Sequence, residues 1–410
     1  MAILKLFVIM KTFYNILNDR RFQNLVVQTL LILLVFLGVS WILGNTVTNL
    51  NNQGKSLGFG FLNETAGFQI SRTLGTAVFD YKVGSSTYLD VFFIGIINTA
   101  IVAIIGIFLT TILGFTIGIM RLSTNLVLNG FANIYIELLR NIPLLLQMFF
   151  WYFAVLRSLP SRRERIEVLP DVMGINITGL YCPLPIPLPG FELVILAFFV
   201  AIFVVWYLVR WSRNRHAISG KAFPVFWISC IILVIFPLII YFFSGSPLLL
   251  EYPIFKEMGP MLRRGYQPDS GMILVPEMVS VLLALVLYTS AFIAETVRSG
   301  ILAISKGQTE ASYALGLKPS QNLRFVVIPQ ALRVIIPPLT SQYLNLTKNS
   351  SLAVFIAYPE LVSVFAGTAL NQVGKEIEMI FMTMSVYLTF SLATAAFMNW
   401  FNARVKLVER

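Results

Sequence analysis

The chain is a succession of apolar runs of roughly 20 residues separated by polar stretches, and that is the length a helix needs to cross a bilayer. Eight runs are expected to span, at about 25–43, 91–120, 126–156, 191–209, 223–243, 272–304, 334–358 and 377–401. Their length and their polar interruptions predict helices and not barrel strands. The fold class expected is an all-α polytopic membrane protein. Ahead of the first run, residues 1–24 carry Lys5, Lys11, Arg20 and Arg21 around an apolar stretch (4–10) too short to span. An interfacial helix is expected there in place of a cleaved leader. The seventh run is expected to break early, at Pro337 and Pro338.

The polar stretch between the sixth and seventh runs has a pattern of its own. Residues 307–329 read GQTEASYALGLKPSQNLRFVVIP. Thr309 is expected to cap a helix whose first turn carries Glu310. Ala311 and Ala314 give one face little bulk. Gly316 is the expected left-handed stop, and Lys318 before Pro319 cannot continue the helix. Ser320 is expected to cap a second short helix bearing Leu323, Arg324 and Val327, which Pro329 closes. Such a helix–turn–helix, held between spans, suits docking into a groove of another protein. An ordinary interfacial loop is the alternative.

Composition fits a membrane chain: 57% hydrophobic, 12% charged and a mean hydropathy of +0.80, where soluble domains sit nearer a quarter charged. A net charge of +11 could suggest nucleic acid. In a membrane protein the placement of the charges is more informative. Eight spans leave both termini on one side, and that side holds 19 of the 30 Lys and Arg residues but five of the 19 acids. The termini and the 307–329 segment are therefore expected in the cytoplasm, and no nucleic-acid partner is expected.

Little in the chain suggests chemistry. Cys182 falls in a loop and Cys230 in a span, so neither disulfide nor thiol chemistry is inferred. A single His216 excludes a histidine-rich metal site. Gly54-Lys55-Ser56 lacks the upstream glycine of a phosphate-binding loop, because position 49 is Asn49. No catalytic residue, metal or bound cofactor is expected, and the chain is not read as an enzyme.

The spacing Glu310-Ala311-Ser312, three residues, Gly316, nine residues, Val326-x-Ile328-Pro329 resembles the EAA loop of permease subunits of bacterial ABC importers. Ser312, Val326 and Ile328 are mild departures from Ala, Ile and Leu. Residues 135–144 with Gln147 resemble the second core helix of the histidine/glutamine permease type, although Asn141-Ile142 replaces the usual Gly-Thr. Residues 294–301, 306–308, 329–333 and 348–352 continue the likeness, with Ser299 in place of a common Gly. The longer permeases of general and neutral L-amino-acid importers are similar in layout.

The resemblance implies a five-helix core formed by 91–156 and 273–403. Residues 1–90 are then an addition holding one span, 157–272 an inserted region with a helical hairpin, and 307–329 the cytoplasmic coupling loop. It also implies import of L-amino acids across the bacterial inner membrane. The implied partners are ATPase subunits that use ATP and Mg, a second permease (a related chain, or a second copy), and a periplasmic amino-acid-binding protein. Glu310, Ala311, Ser312, Gly316, Arg324 and Pro329 would couple to the ATPases.

Polar residues inside the runs are the pathway candidates. Lys348 lies near the middle of the seventh run, where a cation is a functional candidate by default; pairing with a partner chain or snorkelling is the alternative. Asn98, Thr99, Gln147 and Gln342 could bond a zwitterion or, more ordinarily, a neighbouring helix. Glu295 with Arg298, and Glu137 with Arg140, are expected to pair along their own helices or to line a cytoplasmic gate. The alternatives are an ion-coupled secondary transporter, a permease for another small polar solute, a channel or a membrane enzyme. No clear inverted repeat, mid-membrane carboxylate, filter-like repeat or catalytic cluster supports them.

Overall fold

The computed structural model describes residues 19–52, 58–219, 223–257, 264–267 and 270–405. Residues 4–10, the apolar part of the expected interfacial helix, and Gly54-Lys55-Ser56 lie outside these residues. Helix α1 (Arg20–Asn52) is apolar all round, and none of its spanning window is buried by protein. A lipid-facing helix tolerates this because its backbone bonds are all internal. A single turn, α2 (Leu74–Val78), is closed by reciprocal hydrogen bonds between Thr73 and Thr76.

Helix α3 (Tyr88–Met120) starts where Thr87 and Asp90 cap one another. Helix α4 (Leu126–Asn141) starts on the Asn125 side chain, which accepts from Val127 and Leu128 N–H. The expected span over 126–156 is sharply bent and not one straight helix. Ile142 is extended before Pro143, and the chain turns by 105° into α5 (Leu144–Phe149), a π turn (Phe150–Val155) and a 3-10 turn (Leu156–Ser158). Local chemistry allows the break, since a residue before proline is pushed out of the helical region and proline removes a donor.

The inserted region folds into more than loops. Strands β1 (Ile166–Leu169), β2 (Met173–Asn176), β3 (Gly179–Cys182) and β4 (Leu184–Pro187) precede a hairpin of α6 (Phe191–Ser219) and α7 (Val225–Phe243). Strands β5 (Leu248–Glu251), β6 (Phe255–Lys256), β7 (Gly265–Tyr266) and β8 (Met272–Leu274) follow it. An antiparallel sheet runs β1-β2-β3-β8, while β4-β5 and β6-β7 are separate pairs. The proline-rich stretch 182–190 contains β4, whose Pro185 and Pro187 oppose Leu250 and Leu248. A two-stranded ribbon has only edges, where proline is tolerated. Since β4 leads into α6 and β5 leaves α7, the pair closes the base of the hairpin.

Helix α8 (Pro276–Leu302) leaves β8 with proline in its first turn and packs along α3. A Cβ on Gly114 would lie 2.6 Å from Ile293 Cγ2, and one on Gly118 would lie 2.8 Å from the Ala294 carbonyl oxygen. Two glycines four apart let the backbones touch, which is how helices associate where no hydrophobic drive separates protein from lipid.

The remainder is α9 (Lys306–Ala314), α10 (Pro319–Asn322), a π turn (Leu323–Val327) and α11 (Ile328–Asn349). Then come a 3-10 stretch (Ser350–Ile356), a second π segment (Val362–Ala369), α12 (Leu370–Val373) and α13 (Glu376–Val405). Three local expectations fail here. Thr309 lies one turn inside α9, which begins after Ser305. The second helix is capped at Lys318, whose N–H donates to Gln321 Oε1 at 2.9 Å, so Ser320 is already inside it. Pro329, Pro337 and Pro338 do not interrupt the chain, which stays helical from 319 to 349. The π turn just before Pro329 loosens the ladder where the proline ring enters. Ile335, Ile336 and Leu339 are buried and hold the Pro337–Pro338 turn in place, an instance of packing overriding propensity.

Among the described residues, seven helices are long and apolar enough to span, or eight if the bent pair counts as one. The strands are short and confined to the insert, so the all-α class holds.

Candidate functional site: an exposed lever and an open recess

The lever is α9 and α10 with the turn between them. At the end of α9, Leu317 N–H donates to Ser312 C=O (3.1 Å) and Gly316 N–H donates to Tyr313 C=O (2.9 Å). These are the paired bonds of a Schellman stop. They require a left-handed residue, and Gly316 has φ +77°, as expected. Ser312 is buried with its hydroxyl donating to Thr309 C=O at 2.7 Å. Glu310, Ala311 and Arg324 are exposed, and Pro329 is half-buried. The Arg324 guanidinium lies 5.6 Å from the Phe325 ring centre. Tyr313, Leu315, Leu323 and Phe325 are also exposed, Leu315 at 82%. An apolar surface flanked by an acid and a base, on a segment outside the apolar spans, is suited to a protein partner.

The lever is joined to the bundle at both ends. Gln330 Nε2 donates to Gln308 Oε1 at 3.2 Å, tying the start of α11 to α9. On the other side, a Cβ on Gly300 would lie 2.3 Å from Ile335 Cγ1, so α8 and α11 are in close contact beside the lever.

Below the bundle's lever end lies an ion-pair cluster. Arg121, which follows α3, pairs with Glu295 of α8, lies 3.8 Å from Glu137 of α4, and donates through Nε to Asn133 Oδ1 at 2.6 Å. Arg298 pairs with Glu295 at 2.8 Å, as expected from their spacing. Glu137 and Arg140 behave otherwise: Glu137 is near Arg121, and Arg140 sits over the Phe292 ring at 5.1 Å. One guanidinium thus joins three helices. Arg121 is not among the residues that the sequence singles out; its position directly after the last apolar residue of a span is the available signal.

At the far end of α11, Lys348 is exposed and borders an open recess of ≈ 490 Å³, with Ser351, Val362, Thr383 and Tyr387 among its other lining residues. Gln342 lies nearly two turns earlier and is half-buried. Asn98 and Thr99 are fully buried. Asn98 Nδ2 donates to Pro359 C=O (2.7 Å), its Oδ1 accepts from Gly75 N–H (3.1 Å), and Thr99 Oγ1 accepts from Leu361 N–H (3.1 Å). Gln147 is buried at the α4–α5 bend, where its Nε2 donates to Leu139 and Ile142 C=O at 2.9 and 3.0 Å. These side chains answer backbone groups that helix breaks leave unpaired. Glu360, which sequence reasoning passed over, is 1% exposed between the Pro359 break and the following π segment. An acid directly after a proline at the end of an apolar run was its only sequence signal.

A mainly helical membrane bundle with an exposed helix–turn–helix at one end of a long helix, and an open recess bordered by a lysine at the other, has the architecture of the transmembrane component of a transport system. The chain belongs to the family of binding-protein-dependent transport system inner membrane components, which it matches over residues 110–407. It is 44% identical over 399 residues to the general L-amino acid transport system permease protein AapQ of Rhizobium johnstonii, covering 97% of this chain and 96% of that one. It is 47% identical over 372 residues to the putative amino-acid ABC transporter permease protein YhdX of Escherichia coli, covering 91% of each. Identity is 35% over 426 residues to the glutamate/glutamine/aspartate/asparagine permease BztB of Rhodobacter capsulatus, covering 96% of each.

Proposed function

We propose that this chain is a permease subunit that passes L-amino acids from the periplasm to the cytoplasm, driven by ATP hydrolysis on separate ATPase subunits docked at 306–327. The observation that carries this reading is the lever: an exposed Schellman-stopped helix, α9, joined by a turn to α10, which runs without a break into α11. At 1.5 Å per residue, α11 is about 33 Å long, enough to reach from the lever to mid-bilayer. Movement of the lever by a partner is then movement of Lys348. Full-length similarity to AapQ and YhdX supports amino acids as the cargo and favours a broad range.

In this reading a periplasmic binding protein delivers the substrate, and a second permease closes the pathway on the exposed side of Lys348. The Lys348 ammonium meets the substrate carboxylate. Asn98, Thr99 and Gln147 hold helix breaks beside the path, and the Glu295 cluster fixes the cytoplasmic ends of α3, α4 and α8. The lever, the Arg121 cluster and both termini face the cytoplasm, in keeping with the excess of basic residues at that end.

The test is uptake by the assembled complex in proteoliposomes. Glu310→Arg is expected to lower uptake about tenfold or more while the chain still inserts, because a reversed charge at a docking surface opposes the partner. Uptake unchanged by Glu310→Arg would sink the docking assignment.

A further inference from the structure

The break after α11 is held on both sides. Ala357 is left-handed (φ +59°), and Tyr358, Pro359 and Glu360 behind it are all buried. On one side the break is fixed to α3 by the Asn98 and Thr99 bonds. A Cβ on Gly95 would lie 2.8 Å from Leu361 Cα, so α3 abuts this backbone directly.

On the other side, besides apolar packing on α13, one carboxylate makes a polar contact. Glu360 accepts from Val362 N–H through Oε2 (2.8 Å) and from Ser363 N–H through Oε1 (2.7 Å), which caps the π segment. Its Oε2 also accepts from the Tyr387 hydroxyl of α13 at 2.9 Å. Capping alone needs only the two backbone bonds. The third bond reaches a different helix, and its donor belongs to a residue that lines the recess. Val362 and Tyr387, both fixed by Glu360, line the same recess as Lys348.

We propose that Glu360 and Tyr387 are positioning residues that set the width of the Lys348 recess, and with it the size of amino-acid side chain the transporter passes. This rests on the reading of that recess as part of the transport path. The Lys348 ammonium takes the carboxylate common to all amino acids and so does not discriminate among them. The opposing wall of Val362, Met384, Tyr387 and Leu388 meets the part that varies. A buried carboxylate keeps its geometry because every lost donor or acceptor there carries a desolvation penalty. The Tyr387 ring is therefore held at one depth, and freeing it widens the recess.

The experiment uses the full complex in proteoliposomes with saturating loaded binding protein, so that the binding protein's own affinity drops out. Turnover is compared for L-alanine and L-leucine. Tyr387→Phe keeps the ring and removes the bond. It is expected to raise the leucine-to-alanine turnover ratio about three- to tenfold, the range of one net hydrogen bond. Glu360→Gln leaves a single acceptor oxygen for three donors and is expected to shift the ratio the same way. The double variant is expected to go no further than the larger single effect, because both act through one contact. A ratio that stays at the wild-type value while both turnovers fall together would reduce the pair to a structural brace and overturn the proposal. If Glu360→Gln does not assemble, Tyr387→Phe decides the question. Wild-type complex that moves neither amino acid on ATP addition would instead overturn the function proposed above, a separate and recognisable result.

Discussion

At the residue scale, Lys348 and Arg121 show how differently two cations can be used in one bundle. Lys348 is exposed beside an open recess, while the Arg121 side chain is 16% exposed and reaches two acids on different helices. Lys348→Met keeps most of the stem and removes the charge. It is expected to change relative turnover among amino acids without preventing insertion, measured as uptake of several amino acids by the complex; wild-type kinetics for all of them would remove Lys348 from the path. Arg121→Met should act on assembly instead. It leaves Glu295 with Arg298 alone, so the detergent-solubilised protein should lose thermal stability. Truncating one partner of a buried pair is worth about 3–5 kcal/mol, less here because Glu295 is a quarter exposed. The sequence named Lys348, Glu295 and Arg298 because their types and spacing are themselves the signal. Arg121 and Glu360 carry weaker sequence signals, because their roles come from partners 174 and 27 residues away.

At the element scale, the spans were legible because a run of apolar residues and the helix it forms are the same object in lipid. The breaks were less so. Pro143 bends its span by 105°, whereas Pro337 and Pro338 leave theirs continuous. All three lack a backbone donor, so what separates them is the packing of neighbouring side chains, which no local pattern encodes. The strands of the insert are not legible for a related reason: they are two to four residues long, and two of their five pairings, β3-β8 and β4-β5, join segments on either side of the hairpin. The burial of Cys182 in β3, which raises its thiol pKa, agrees with an inert thiol there. The Gly114–Gly118 spacing was a readable sign of the α3–α8 contact and was overlooked. Gly114→Val is expected to separate these helices at a cost of about 1–3 kcal/mol, typical of overpacking, seen as a lower unfolding temperature. Gly316→Ala, placed where φ is +77°, is expected to strain the Schellman stop by about 1–2 kcal/mol and to reduce uptake more than it reduces folded protein.

At the scale of the whole molecule, the hairpin base and the lever define two ends. The strands that close the hairpin also lead through β8 into α8, and α8 leads to the lever. The insert and the lever are thus separated by single crossings. In a chain with Cys182 and Cys230 replaced by Ser, Ser246→Cys is expected to react with a membrane-impermeant maleimide from the periplasm. Ser320→Cys is expected to react only once the cytoplasmic face is opened. The reverse pattern would invert the orientation drawn from the basic residues.

The π turn at Leu323–Val327 carries a geometric consequence. A widened turn holds one residue more than the α-helix around it, and one residue corresponds to about 100° of rotation. The turn therefore sets the azimuth between the surface proposed to meet a partner and the wall proposed to meet the cargo. Excising Val326 would restore a regular coil and leave every contact residue in place, yet the two faces would be out of phase. A chain so shortened should dock or conduct, but not do both in step.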